Sequence, residues 1–274
     1  MLIGRIRNIP GIILHKWLRL PYRLHVRSLH RERAAKTTVV FVHGLGATGK
    51  MWQPVISQLP HSTNAVSVDL LGFGRSAKPY WETYSAKLQA RSLRTTLLRL
   101  RLTGPVILVG HSLGSLVAIE FATRYPELTL SLILCSPPIY RHDDATPKLS
   151  PEKFLRAFYE KLLASPKTLI RLYNLGRSTK IDPSLELTED NMMMFAASLR
   201  ASIINQTAID DVTRLHIPVD IIHGMLDPLV VRSNLVGLVK HSPTISFASV
   251  RASHPLNHAY VKKIVSTLQT RATH

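Results

Sequence analysis

One short string constrains this chain more than any other feature: Val109-Gly110-His111-Ser112-Leu113-Gly114-Ser115. It follows the apolar run Pro105–Val109 and precedes Leu113–Tyr125, a helical pattern stopped by Pro126. The spacing predicts a strand that turns sharply into a helix, with Ser112 at the apex. Small residues two positions either side of the serine leave room for the turn and for the helix to pack on the strand. A serine there must take a strained backbone, which lifts its hydroxyl clear of the sheet. The same turn aims the Leu113 N–H and the helix N-terminus at one point in space, where an oxyanion would be stabilised. A strand feeding directly into a helix is an α/β signature.

The rest of the chain agrees. Short runs rich in Val, Ile and Leu (Thr38–Val42, Ala65–Val68, Val106–Val109, Leu132–Cys135, Val219–Ile222 and Ile245–Val250) are near-continuously apolar, as strands covered on both faces are. Tyr22–Ser28 alternates and reads as an edge strand. Helical patterns at Met51–Leu59, Tyr84–Leu102, Leu113–Tyr125 and Val261–Thr270 lie between and after them, giving a doubly wound, mainly parallel sheet. After Cys135 the alternation stops. Ser150-Pro151 starts one helix with the stripe Phe154, Leu155, Phe158, Leu162 and Leu163; Pro166–Leu175 is a second; Thr188 caps a third through Met192, Met193, Met194, Phe195 and Leu199. The expected organisation is a core of residues 1–136 and 212–274, with a helical cap over 137–211. That insertion of roughly seventy residues is longer than an ordinary connection.

A serine hydroxyl needs a base, and a base needs an orienting acid. Among 13 histidines, His254 follows the last apolar run, Ile245–Val250, in Arg251-Ala252-Ser253-His254, and Asp227 falls just past the run Val219–Ile222. Both fall at carboxyl ends of strands, where open α/β sheets bind ligands. The order Ser, acid, His is one of the known arrangements of the triad. His258 competes as base, but it falls at the closing helix. Asp69 precedes the serine, and Asp210, Asp211 and Asp220 lie before or early in their strand. Asp227 could also be a mere turn former ahead of Pro228. The loop Val42-His43-Gly44-Leu45-Gly46 fits a second oxyanion donor, the N–H of Leu45. It is not a phosphate cradle, because Gly49-Lys50 is followed by Met51 rather than Ser or Thr.

VHGLG at 42–46, DLLGFGRS at 69–76, GHSLGS at 110–115, HGMLDP at 223–228 and SHP at 253–255 together resemble the serine-nucleophile branch of the α/β-hydrolase superfamily, of the esterase and lipase kind. The pieces stand in family order across nearly the whole chain except residues 137–211. The family often has Gly before the histidine where Ser253 stands here. The resemblance implies an eight-stranded sheet with the cap inserted after the sixth strand. It implies a catalytic Ser112, Asp227 and His254, and an oxyanion hole of the Leu45 and Leu113 N–H groups. No cofactor and no metal is implied.

The expected activity is hydrolysis of a small to medium, apolar carboxylic ester through an acyl-enzyme. Phe158, Met193 and Phe195 from the cap, with His43 and His111 beside the serine, are the expected pocket residues, Met and Phe supplying an adaptable apolar lining. On the same triad, C–C bond hydrolysis and acyl transfer to another acceptor stay open, as does a ligand-binding or regulatory protein without turnover.

Charge is the unabsorbed feature. The chain carries 35 Lys and Arg against 17 Asp and Glu, a net +18. Residues 1–36 hold nine basic residues and one acid, Glu32, and 87–101 hold five basic residues and no acid. A solvated basic surface is the reading set against a polyanion site, and no specific nucleic-acid partner is expected. The segment 1–20 lacks the small-residue cleavage site of a signal peptide and reads as part of the mature chain, with weak contact to an anionic membrane as its alternative to packing. One cysteine, Cys135, excludes an internal disulfide and accords with a cytoplasmic location.

Overall fold

The computed structural model describes residues 11–32, 35, 37–102, 104–141, 150–165 and 185–272. Its strands are β1 (His25–His30), β2 (Thr38–Val42), β3 (Asn64–Asp69), β4 (Val106–His111), β5 (Thr129–Cys135), β6 (Val219–Gly224) and β7 (Ile245–Val250). They form one sheet in the order β1-β3-β2-β4-β5-β6-β7. β1 runs antiparallel to β3, and every other pairing is parallel.

The expected doubly wound, mainly parallel sheet is present, with seven strands among the described residues rather than the expected eight. The chain from Gly11 to Leu20 forms a short π-helical turn at Ile12–Trp17 and adds no further strand among the described residues. The helical insertion therefore follows the fifth strand, not the sixth. The edge strand is shifted toward the C-terminus from its expected place, because Tyr22 and Leu24 are buried in the core ahead of it.

The helices are α1 (Gln53–Ile56), α2 (Ala86–Arg99), α3 (Leu113–Arg124), α4 (Pro151–Ala164), α5 (Glu189–Ser198), α6 (Ala208–Thr213), α7 (Arg232–His241) and α8 (His258–Ala272). α5 continues without a break into a π-helical turn, Leu199–Ile204. The Ser85 and Ser150 hydroxyls cap α2 and α4, and Thr188 with Asn191 forms a capping box on α5. The helix expected at Pro166–Leu175 lies outside the described residues. α7 was not legible: Asn234 and Gly237 lower its helix propensity, and burial of Leu235 and Leu238 holds it instead.

The continuous apolar strands resolve into two cores by their period of two. Val40, Val42, Leu108, Leu132 and Leu134 face the layer that holds α2 and α3. Val39, Phe41, Ile107, Val109 and Ile133 face Trp52, Val55 of α1 and Tyr260 and Ile264 of α8. Alternate side chains leave a strand on opposite faces, so a strand buried on both must be apolar throughout. This two-sided burial fixes the carboxyl ends of β2, β4, β5, β6 and β7 along one rim.

Candidate active site

The elbow is built from β4 and α3. Ser112 has φ 51° and ψ −119°, left-handed backbone that costs a non-glycine residue about 1–3 kcal/mol. It is held there from several sides. Its N–H donates to the Cys135 carbonyl at 2.9 Å, and its carbonyl accepts from the Ser115 N–H at 2.9 Å. The Ser115 hydroxyl donates to the Gly110 carbonyl at 3.0 Å. The flanking glycines are required by close approach. A Cβ at Gly114 would lie 2.7 Å from the His43 carbonyl oxygen and closer still to that of Val42.

Asp227 and His254 meet as expected. His254 Nδ1 lies 2.8 Å from Asp227 Oδ2, and the carboxylate is fully buried. Two further donors complete it: the Ser136 hydroxyl to Oδ2 at 2.5 Å and the Leu229 N–H to Oδ1 at 2.9 Å. Burial by itself would raise the Asp227 pKa; the bonds from His254, Ser136 and Leu229 outweigh it and hold the carboxyl below the usual range. A carboxylate can only accept here, so Nδ1 of His254 carries a proton, and in the neutral ring it is Nε2 that has the lone pair.

Ser112 and His254 line one cavity of about 220 Å³, together with Leu45, His111, Phe158 and Phe195. The other lining is mostly apolar, including Leu162, Leu185, Leu199 and Ile203. Two expected pocket residues are elsewhere. Met193 is 60% exposed, since one helical step turns it away from Met194, which packs into the core. His43 is buried beneath the loop and does not line the cavity.

His43 instead shapes the loop. Its Nε2 accepts the Leu70 N–H at 2.8 Å, so Nδ1 carries the proton and donates to the Gly44 carbonyl at 2.7 Å. The same carbonyl accepts from the Ala47 N–H at 3.2 Å. In a planar trans peptide the N–H opposes the C=O, so the Leu45 N–H points away from these partners. The Leu45 amide donates to no backbone carbonyl among the described residues. Leu113 is the first residue of α3, where an amide has no intrahelical acceptor.

The competing acids are engaged elsewhere. Asp69 is paired with Arg27 at 2.6 Å and accepts the Gly49 and Arg75 amides. Asp220 is paired with Arg271 at 2.7 Å. His258 is exposed at the start of α8.

Two groups escaped the sequence reading. Ser136 follows β5 directly, with φ 46°, and relays Tyr260 to the acid at 2.5 Å. Tyr159 of α4 lines the cavity and meets the Tyr140 hydroxyl at 3.1 Å, which donates to the Leu229 carbonyl at 2.6 Å. The insertion is thus tied to the acid's own loop. The strand-end rule that found Asp227 would also have pointed to Ser136. Nothing local distinguishes Tyr159 from any tyrosine on an amphipathic helix.

No grouping of His, Cys, Asp and Glu among the described residues is arranged to hold a metal ion.

Comparison with known proteins places this geometry. An esterase of Exiguobacterium antarcticum superposes with a TM-score of 0.73 over 92% of this chain and 96% of its own, at 17% identity, a likeness of fold. An uncharacterized protein of Mycobacterium tuberculosis is 35% identical over 122 residues, 42% of this chain and 35% of its own. A probable lysophospholipase of Arabidopsis thaliana, BODYGUARD 3, is 33% identical over 110 residues, 39% of this chain and 22% of its own. The matches thus span about a third or less of these two relatives. The profile described as alpha/beta hydrolase fold matches residues 37–257, from β2 through the loop that carries His254. With the strand order, the turn at Ser112 and that match in agreement, the chain belongs to the α/β hydrolase fold family.

Proposed function

We propose that the protein is a serine hydrolase of carboxylic esters with an apolar acyl group, working through an acyl-enzyme. One observation carries the reading: a serine in strained left-handed backbone shares a cavity with a histidine whose far nitrogen is bonded to a buried carboxylate. Ser112 Oγ attacks the carbonyl carbon while His254 Nε2 takes its proton. Asp227 keeps the imidazole in that tautomer and stabilises its cationic form. The Leu45 and Leu113 amides receive the oxyanion. The tetrahedral adduct collapses, the C–O bond to the alcohol breaks, and His254 returns the proton to the leaving oxygen. Water repeats the sequence on the acyl-Ser112 ester and releases the acid.

The apolar lining supports an acyl chain over a polar substrate. The esterase and probable lysophospholipase among the similar proteins accord with ester chemistry. Residues 137–211 serve in this reading as a cap, with Phe158 and Phe195 lining the acyl site. The test is a panel of p-nitrophenyl esters of rising chain length with wild type and Ser112→Ala, alongside a fluorophosphonate label. Steady multiple turnover that falls by several orders of magnitude in the variant, with label on Ser112 alone, is expected. Unchanged turnover in the variant would refute the assignment. Labelling without turnover would make the chain a binding protein.

A further inference from the structure

The two basic stretches of the sequence come together in the fold. The Arg91 side chain of α2 donates to the Arg19 carbonyl at 3.2 Å, and the Arg31 side chain to the Leu100 carbonyl at the other end of α2. The acid-free segment 11–31 therefore lies beside the acid-free stretch 87–101.

Beside this cationic surface the chain turns its apolar side chains outward. No residue of Ile12–Trp17 is buried. Trp17 is 77% and Leu18 61% exposed, with Ile13, Leu14 and Leu20 also exposed. Lys16, Arg19 and Arg23 are exposed among them. The segment is held in this posture. His15 stacks on Tyr22 at 3.8 Å and bonds the Leu20 carbonyl at 2.7 Å, and the Leu18 N–H donates to the Ile13 carbonyl at 2.9 Å. Five large apolar groups facing water within eight residues form the kind of patch that marks an interaction site. Interspersed cations make an anionic partner favourable. An indole and aliphatic side chains beside lysine and arginine match the boundary between lipid headgroups and acyl chains.

We propose that the face formed by residues 11–23 and the basic side of α2 docks on an anionic bilayer, with Trp17 and Leu18 inserted at the headgroup boundary. No helix among the described residues is long and apolar enough to cross a membrane. Attachment through this face is peripheral: apolar insertion sets the depth, and each Lys or Arg near the surface strengthens binding by about fivefold. The claim does not depend on the chemistry assigned to Ser112.

The test is co-sedimentation of the full chain with vesicles of phosphatidylcholine alone and of phosphatidylcholine mixed with phosphatidylglycerol. Trp17→Ser/Leu18→Ser and Lys16→Gln/Arg19→Gln are the variants. Wild type is expected to bind the mixed vesicles, weakly or not at all the neutral ones, and to show a blue shift of tryptophan emission on binding. Trp52 is fully buried and Trp81 is half-buried and bonded to the Tyr22 hydroxyl, so the difference between wild type and the Trp17→Ser/Leu18→Ser variant isolates the part of the shift due to Trp17. The apolar variant is expected to lose about tenfold or more in binding and the blue shift with it; the charge variant weakens binding to the anionic vesicles. Both keep the far-UV spectrum and turnover of short esters in free solution. Unaltered binding by the apolar variant, or equal binding to neutral vesicles, would overturn the proposal and leave only a diffuse positive surface. Self-association of wild type without lipid, abolished in the apolar variant, would assign the patch to a second copy of the chain and overturn it as well.

Discussion

The His111 ring donates its Nε2 proton to the carbonyl oxygen of His254 across 2.8 Å, so the residue before the candidate nucleophile holds the backbone of the candidate base. The two rings lie 5.0 Å apart. The bond joins the elbow on β4 to the loop after β7, two elements 143 positions apart in the chain. Among the described residues Nδ1 of His111 is buried without a hydrogen-bond partner.

If that bond positions His254, its loss acts on the chemical step rather than on substrate binding. His111→Leu is expected to lower kcat by about 10–100-fold with little change in KM. His111→Gln, which keeps an N–H donor, is expected to recover part of the loss. Steady-state kinetics on one ester decides it: equal losses in both variants would assign His111 a packing role only.

Backbone crowding at the elbow predicts a sharp contrast between two glycines. Gly114→Ala forces a Cβ against the Val42 and His43 carbonyls, whereas a Cβ at Gly104 meets nothing within 4 Å. The first is expected to destabilise by about 3 kcal/mol or more, lowering Tm by roughly 6–12 °C. The second should stay within about 0.5 kcal/mol. Thermal unfolding of both variants makes the comparison.

Acyl-chain preference is expected to follow the cavity wall. Phe195 lines it and Met193 does not. Phe195→Ala should raise kcat/KM for longer esters relative to shorter ones by roughly tenfold or more. Met193→Ala, altering an exposed side chain two residues earlier on the same helix, should leave the ratio unchanged. The ester panel with both variants tests this.

Two of the buried histidines, His43 and His111, predict an acid-side loss of stability. Burial lowers His43 to about 4 and, with the nearby His254, His111 to about 3, from an ordinary 6.5. Their neutral forms are favoured by folding, so the contribution is complete above pH 6.5. It fades as pH falls, through about 4 for His43 and about 3 for His111, because the unfolded chain takes up protons first. The amounts are about 3 and about 5 kcal/mol. Denaturant midpoints measured from pH 7 to pH 4 should fall, and fall less steeply in His43→Gln. An unchanged slope in that variant would remove His43 from the account.

Local signals carried a long way. The apolar runs marked six of the seven strands, because a strand covered on both faces leaves no room for a polar side chain. The turn at Ser112 was legible because two glycines flank the serine where an apolar run meets a helical pattern. The meeting of Asp227 with His254 could be anticipated because both lie in the loops just past the ends of parallel strands, β6 and β7. The reading erred where distant packing decides. An eighth strand, Met193 and His43 in the cavity wall, and the missing α7 were all errors of surroundings rather than of local pattern.

What the sequence determined by itself is the order of strands and helices and the residue types at their ends, since periodicity, turns and caps are properties of neighbouring residues. Only the tertiary structure decided which groups share a site: Ser136 and Tyr260 behind the acid, His111 on the His254 carbonyl, Tyr159 reaching the acid's loop, and the basic helix α2 beside the outward-facing Trp17. Each of these joins residues far apart in the chain, and such pairs become neighbours only when burial of both sheet faces brings their elements together.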